Sequence, residues 1–250
     1  YNTAVGYNAA GATTGESNTA LGDQALLANI GGTHNTALGR DSMGSNTTGT
    51  YNTSVGVSSL YTNQDGDFNV AVGYAALSTM ESDSGGQDCF NTAVGVYAGK
   101  ELSTGIQCTF VGGRAGESGT QTADNNTGLG FKSGYALTSG YSNVTLGSIA
   151  GVAINTGFKN IMIGYEAGDA CTSGDFNIII GAEADISDGD SEHEIVIGGA
   201  ATGKGSNTAF LAPASGGVYN TNNTTTWNQT SDRRIKKNIV DNNQGLEIIN

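Results

Sequence analysis

Apolar and polar positions alternate along this chain in a frame that restarts at a glycine. The glycines are Gly6, Gly22, Gly39, Gly56, Gly73, Gly95, Gly112, Gly130, Gly147, Gly164, Gly181 and Gly198. Successive steps are 17 residues, apart from 16 at the first, 22 after Gly73 and 18 after Gly112. The residue before each glycine is aliphatic, from Val5 and Leu21 to Ile180 and Ile197. The residue two earlier is β-branched, from Thr3 and Thr19 to Ile178 and Ile195. On a strand these two columns share one face, and β-branched side chains suit a packed, pleated surface. The pattern predicts a five-residue strand closed by a glycine turn, with this pair of columns directed at the core. The column between them then faces outward.

Three residues after the glycine stands a small residue, as at Ala9, Ala25, Ser42, Ser59 and Ala76, which marks a sterically tight position. A second glycine often lies seven residues before the first, as at Gly15, Gly32, Gly49 and Gly66. Each repeat therefore has two turn sites and room for two short strands. Repeats of this length stack into an all-β parallel β-roll or solenoid. Asparagine opens most repeats (Asn2, Asn18, Asn35, Asn52, Asn69, Asn91 and onward), with Cys108 and Glu194 as exceptions. Stacked amides can bond along the pile as a ladder, or each can hold its own turn.

The repeats are graded. The column two before the glycine is mostly alanine early (Ala4, Ala20, Ala37, Ala71, Ala93) and enlarges later to Phe110, Thr145, Met162, Ile179 and Val196. With that column outward, its growth predicts an outer face covered by a neighbouring subunit. The long step after Gly73 holds an acidic insert around Glu81–Asp88, expected as a loop at one edge and a candidate contact site. Five residues before the glycine an aromatic recurs (Tyr1, Tyr51, Phe68, Phe90, Phe176), and His34 and His193 occupy the same column. The histidines thus read as packing substitutes rather than metal ligands or catalysts.

Composition supports a narrow stacked core: 40 of 250 residues are Gly, one is Pro, and aromatics make up 7%. The net charge of −13 disfavours nucleic acid and anionic membranes as partners. Cys89, Cys108 and Cys171 make neither a disulfide framework nor a zinc spacing. No apolar run approaches membrane-spanning length, so membrane insertion is not expected. The acidic run Asp185–Glu194 matches neither the EF-hand loop nor the nonapeptide calcium β-roll and reads as a solvated turn. No cofactor or metal is expected. The chain begins inside a repeat, which predicts a piece of a longer protein.

The chain divides into a repeat shaft (1–211), a tapering end and linker or short β segment (212–230), and a final basic stretch (231–250). Four of ten basic residues fall within Thr230–Ile239, and Gly245–Asn250 reads as the first turn of a helix. A serine with a lysine five residues on, Ser231 and Lys236, can form a nucleophile–base dyad if the lysine is neutral.

The run Ser231-Asp232-x-Arg234-x-Lys236-x-x-Ile239, then Leu246-Glu247-x-Ile249, resembles the start of the endosialidase-type S74 intramolecular chaperone domain of phage tail spikes and fibres. That resemblance implies an α-rich C-terminal domain that aligns three chains and then cuts itself off. The cut would fall between Thr230 and Ser231, with Ser231 as nucleophile and Lys236 as its basic partner. Only about twenty residues of such a domain are present here. The Asn-Thr-Ala-Val-Gly units of residues 1–211 resemble the head repeats of YadA-type trimeric adhesins and similar phage fibres. They imply a left-handed β-roll with three chains side by side. Near-identical repeats can also slip in register, which gives an aligning chaperone a physical purpose.

The expected protein is a structural viral tail fibre or spike of the virion. It is homotrimeric, contacts other tail proteins and a host-surface receptor or glycan, and has no enzyme activity beyond single-turnover self-cleavage. The alternative is a bacterial trimeric autotransporter-type adhesin at the cell surface. A polysaccharide-degrading spike is a weaker fit, because the acids fall in turns rather than as paired in-strand carboxylates.

Overall fold

The computed structural model describes residues 1–82, 85–213, 216–221, 224 and 226–229. The described chain is all-β, with no helix. Each repeat contributes one strand, from β1 (Thr3–Val5) through β7 (Thr109–Val111) to β12 (Ile195–Ile197). The degenerate copy adds β13 (Ala209–Leu211). These strands form one parallel sheet in sequence order, each displaced from the last by one repeat, as in Ile161↔Ile178 and Ile163↔Ile180. The taper is the short β segment foreseen: β14 (Val218–Asn220) and β15 (Trp227–Gln229) extend the sheet antiparallel. At one strand spacing per coil, twelve coils make a rod of roughly 60 Å.

The strands are three residues long, not five, and there is one per coil. The remainder of each coil is turn, carrying its own coil-to-coil bonds such as Leu26 N–H to the Ser42 carbonyl and Met43 N–H to that of Ser59, both 3.0 Å. Three positions per coil are left-handed: two and four residues after the glycine, and five before. Gln24, Leu26 and His34 are examples, at φ 58°, 52° and 58°. Such conformations cost about 1 kcal/mol each for non-glycine residues. Hydrogen bonds to neighbouring coils hold them in place.

The anchor glycines have no substitute. Gly39 sits at φ +136°, and a Cβ there would lie 2.5 Å from the carbonyl oxygen of Gly56 on the next coil. Coils can stack at strand spacing only because that atom is missing.

The facing of the strand is the reverse of the sequence expectation. The middle column is buried: Ala37, Ser54, Ala71, Ala93, Met162, Ile179 and Val196 are all 0% exposed. The β-branched and aliphatic columns point outward and are half-buried or exposed along the rod, as at Leu21, Leu38, Leu129 and Ile161. Enlargement of the middle column is therefore growth of this chain's own core. It is no sign of an outer face covered by a neighbour. The reason is the width of the coil, whose narrow interior admits one strand side chain per turn.

The core side opposite the strand is built by the small column (Ala25, Ser42, Ala76, Ala98, Ala115), tight as expected and fully buried. The asparagines span coils. In Asn35, Oδ1 accepts the Asn52 backbone N–H (2.9 Å) and Nδ2 donates to the Gly49 carbonyl (2.7 Å), both on the next coil. Direct amide–amide contacts also occur, as from Asn160 Nδ2 to Asn143 Oδ1 at 3.1 Å. Of the two readings left open, the ladder is the one that forms, and its partners are mostly main chain. Cys108 and Glu194 keep the main-chain part of the pattern, donating their N–H groups to Asn91 Oδ1 and Asn177 Oδ1.

Candidate interaction surface

The feature with most chemistry is the outward sheet face. Its exposed columns run from the residue five before the glycine, through the β-branched and aliphatic columns, to the residues one and two after it. In one chain this leaves Val5 57%, Leu21 45%, Leu129 44% and Ile197 38% exposed. Aromatics flank it on both sides: Tyr51, Phe68 and Phe90 precede the strands, while Tyr74, Phe131 and Tyr165 follow them, all exposed. The aliphatic column runs unbroken for roughly 60 Å; the β-branched column beside it is Thr in seven of the first eight coils and Val or Ile from Val144 on, so the face is most apolar in the later coils.

The aromatic column forms stacks. His34, Tyr51, Phe68 and Phe90 lie ring on ring, with centroids 4.7, 5.1 and 5.2 Å apart. A second group runs from Tyr141 through Phe158, each six residues before its glycine, to Phe176 and His193, each five before, with Phe158 meeting Phe176 edge-on. Both histidines end a stack, at 4.7 Å from Tyr51 and 4.8 Å from Phe176, in keeping with a packing role. In the first stack the ring faces are spent on each other, so it presents edges rather than flat platforms.

The acidic run divides between surface and interior. Asp188 and Asp190 are exposed, but Glu194 is fully buried in the asparagine column. Its carboxylate accepts Ser187 N–H and Oγ–H (both 3.0 Å) and Gly205 N–H (2.8 Å). Asp185 is half-buried beside Asp169. Burial first, and the neighbouring Asp169 as well, push its carboxyl up to about 6. No group of three metal-ligating side chains forms among the described residues. Burial pushes the thiols of Cys108 and Cys171 up to about 11 and about 12, so neither is a ready nucleophile.

In the insert, Gly86 N–H reaches the Asp65 carbonyl (3.2 Å), Glu81 N–H that of Ser103 (2.8 Å), and Asp88 bridges to Asp67. Ser231, Lys236 and the Thr230–Ser231 bond lie outside the described residues, as does all of segment 231–250, where the start of an α-rich domain was expected. The outward face was hidden from sequence reasoning by the reversed facing, although its β-branched and aliphatic columns were visible all along. No family model, curated protein or solved structure matches this chain.

Proposed function

We propose that this chain is the shaft of a homotrimeric viral tail fibre or spike, a rigid spacer between the virion and the host surface. The observation that carries the reading is the outward sheet face, with an unbroken aliphatic column and beside it a β-branched column that turns from Thr to Val and Ile in the later coils. Leaving such a band in water is unfavourable at about 25 cal/mol per Å². Around 1,000 Å² of it per chain is enough for a stable association. Three copies facing a common axis cover it and leave the turns outside, available to a receptor or glycan and to other tail proteins. The insert around Glu81–Asp88 is the contact candidate among those turns. Many fibres per particle then add weak contacts into strong attachment. In this reading a complete chaperone domain sets the register of the three chains and is released by Ser231 and Lys236.

The same face would serve a bacterial surface adhesin equally well, so the deciding test concerns the C-terminal segment. The full-length gene product and its Ser231→Ala variant are compared by intact mass, and the shaft by sedimentation. Cleavage after Thr230 in the wild type alone, with a trimeric shaft, is expected. An uncut wild type carrying its whole C-terminal domain removes the chaperone and favours the adhesin. A shaft that stays monomeric at micromolar concentration removes both.

A further inference from the structure

The outward face changes its chemistry along the rod. The aliphatic column is apolar in every coil. The β-branched column is Thr from Thr3 to Thr127, with Val70 as the one exception. From β9 (Val144–Leu146) to β12 it is Val or Ile, and there neither column carries a polar side-chain atom. Threonines in the turns donate to carbonyls of the next coil, as Thr47 Oγ1 does to Gln64 (3.0 Å) and Thr62 Oγ1 to Ser78 (3.1 Å). Among the described residues the hydroxyls of the outward column take no hydrogen bond within the chain, since these side chains stand away from the sheet. A hydroxyl removed from water without a partner is unfavourable, whereas a Val or Ile side chain gains from the same removal.

From this division we infer that the contact between copies of this chain is dry along β9 to β12 and water-filled along the threonine coils, so that the later coils hold the shaft together. The inference rests on the trimeric-shaft reading and adds to it which part of the face carries assembly. The partner that fits a face repeating at one strand spacing is another face with the same repeat, and a second copy lying parallel supplies it. Apolar coils then meet apolar coils, and threonines meet threonines with bridging water between them. An antiparallel copy, fully overlapped, would set Ile178 and its neighbours against threonines and leave both unsatisfied. Protein interfaces commonly have a dry centre and a wet rim; along this rod the two lie end to end.

Two experiments on the 250-residue chain test this. In the first, Ile161→Cys and Thr36→Cys are made separately. Each is alkylated with a small maleimide, both assembled and diluted until it dissociates, with sedimentation fixing the state. Cys89, Cys108 and Cys171 are buried, and the parent chain supplies their background. Assembly is expected to slow the thiol at 161 by about tenfold or more and the thiol at 36 by less than about threefold. In the second, Ile161→Thr with Ile178→Thr keeps the branching the strand needs. It is expected to raise the concentration for half-assembly by about tenfold or more. Thr36→Val with Thr53→Val is expected to shift that concentration by less than about threefold in either direction.

Equal protection at 161 and 36, or a larger shift from the threonine pair than from the isoleucine pair, overturns the division and leaves the shaft reading standing. A trimer that protects neither thiol overturns the division and moves the contact off this face. A parent chain that stays monomeric overturns the shaft reading with it.

Discussion

The coils before the insert and those after it fill the same narrow interior in opposite ways. Early coils put a small residue on the strand (Ala37, Ser54, Ala71) and a large one four residues after the glycine (Met43, Leu60, Leu77), all fully buried. Later coils put the bulk on the strand and a glycine opposite, as in Phe110 with Gly116 and Met162 with Gly168, while Ile179 is paired with Asp185 and the coil of Gly130 has glycine at both places, Gly128 and Gly134. Gly116 shows why: a Cβ there would lie 2.5 Å from the Phe110 ring. The handover falls at the coil of Gly95, where strand and opposing positions are both small, Ala93 and Gly99. Leu77 fills that level from one side and Phe110 from the other, at 2.9 and 3.2 Å from where a Gly99 Cβ would stand. The insert marks the same boundary.

A third position changes with them. Early coils stack Asn29, Asn46 and Asn63, with Asn46 Nδ2 donating to Asn29 Oδ1 (2.7 Å) and Asn63 Nδ2 to Asn46 Oδ1 (3.2 Å). From Met80 onward the position turns apolar, with Leu102, Leu137, Ile154 and Cys171. The ladder ends with a cost, because Asn63 Oδ1 is buried without a partner where the next amide would donate. Packing volume is thus conserved through the coil while its distribution moves, as close-packed interiors require.

The comparison can be broken most severely by forcing the early scheme onto a late coil. Gly116→Leu adds a side chain where Phe110 already lies and strains a residue at φ +56°. A loss of about 4 kcal/mol in urea unfolding is expected. Phe110→Ala alone opens a cavity and costs about 3–4 kcal/mol. The two together should cost clearly less than their sum, since each vacates what the other fills. Additive losses would show that the two positions do not share one space.

Asn46→Leu sharpens the second difference. It strands Asn29 Oδ1 in the interior and should cost about 2 kcal/mol by chemical denaturation. Asn63→Leu only moves the end of the ladder back one coil and should cost less. Equal losses would mean that the amides act one by one.

The smallest effect concerns Asp185, which stands four residues after its glycine, where preceding coils have Gly151 and Gly168. Its carboxyl titrates near 6 in the folded chain against an ordinary 3.8. Between these values the folded protein holds a proton that the unfolded chain has released. Stability from this group is therefore highest below about pH 4 and falls as pH rises through about 6. Asp185→Asn should flatten that part of the stability–pH curve and stabilise the protein at pH 7.5 by about 1 kcal/mol, discounted for half-exposure. An unchanged slope would place the titration elsewhere.

The repeat itself, its parallel stacking, the tight small column and the part played by the histidines were legible in the chain. Each rests on residue type recurring at fixed spacing, which stacking turns directly into contact. The length of the strand was less so: Asn35 and its counterparts look like strand residues but turn inward to bond across coils. Serine and lysine at 231 and 236 remain a reading of sequence alone.

By itself the sequence determined that twelve short segments lie parallel, one strand spacing apart, because a glycine without a Cβ recurs at the same place in each coil. It determined also that the residues on either side of the strand's middle share a face. Alternation with period two says which residues face together and is silent on which face is inside. The tertiary structure decided that, because a coil closing on itself has room for one strand side chain. The pair on either side, Thr, Val or Ile with Val, Leu or Ile, was turned outward because the interior takes one strand side chain per coil, whether Ala37 or Phe110.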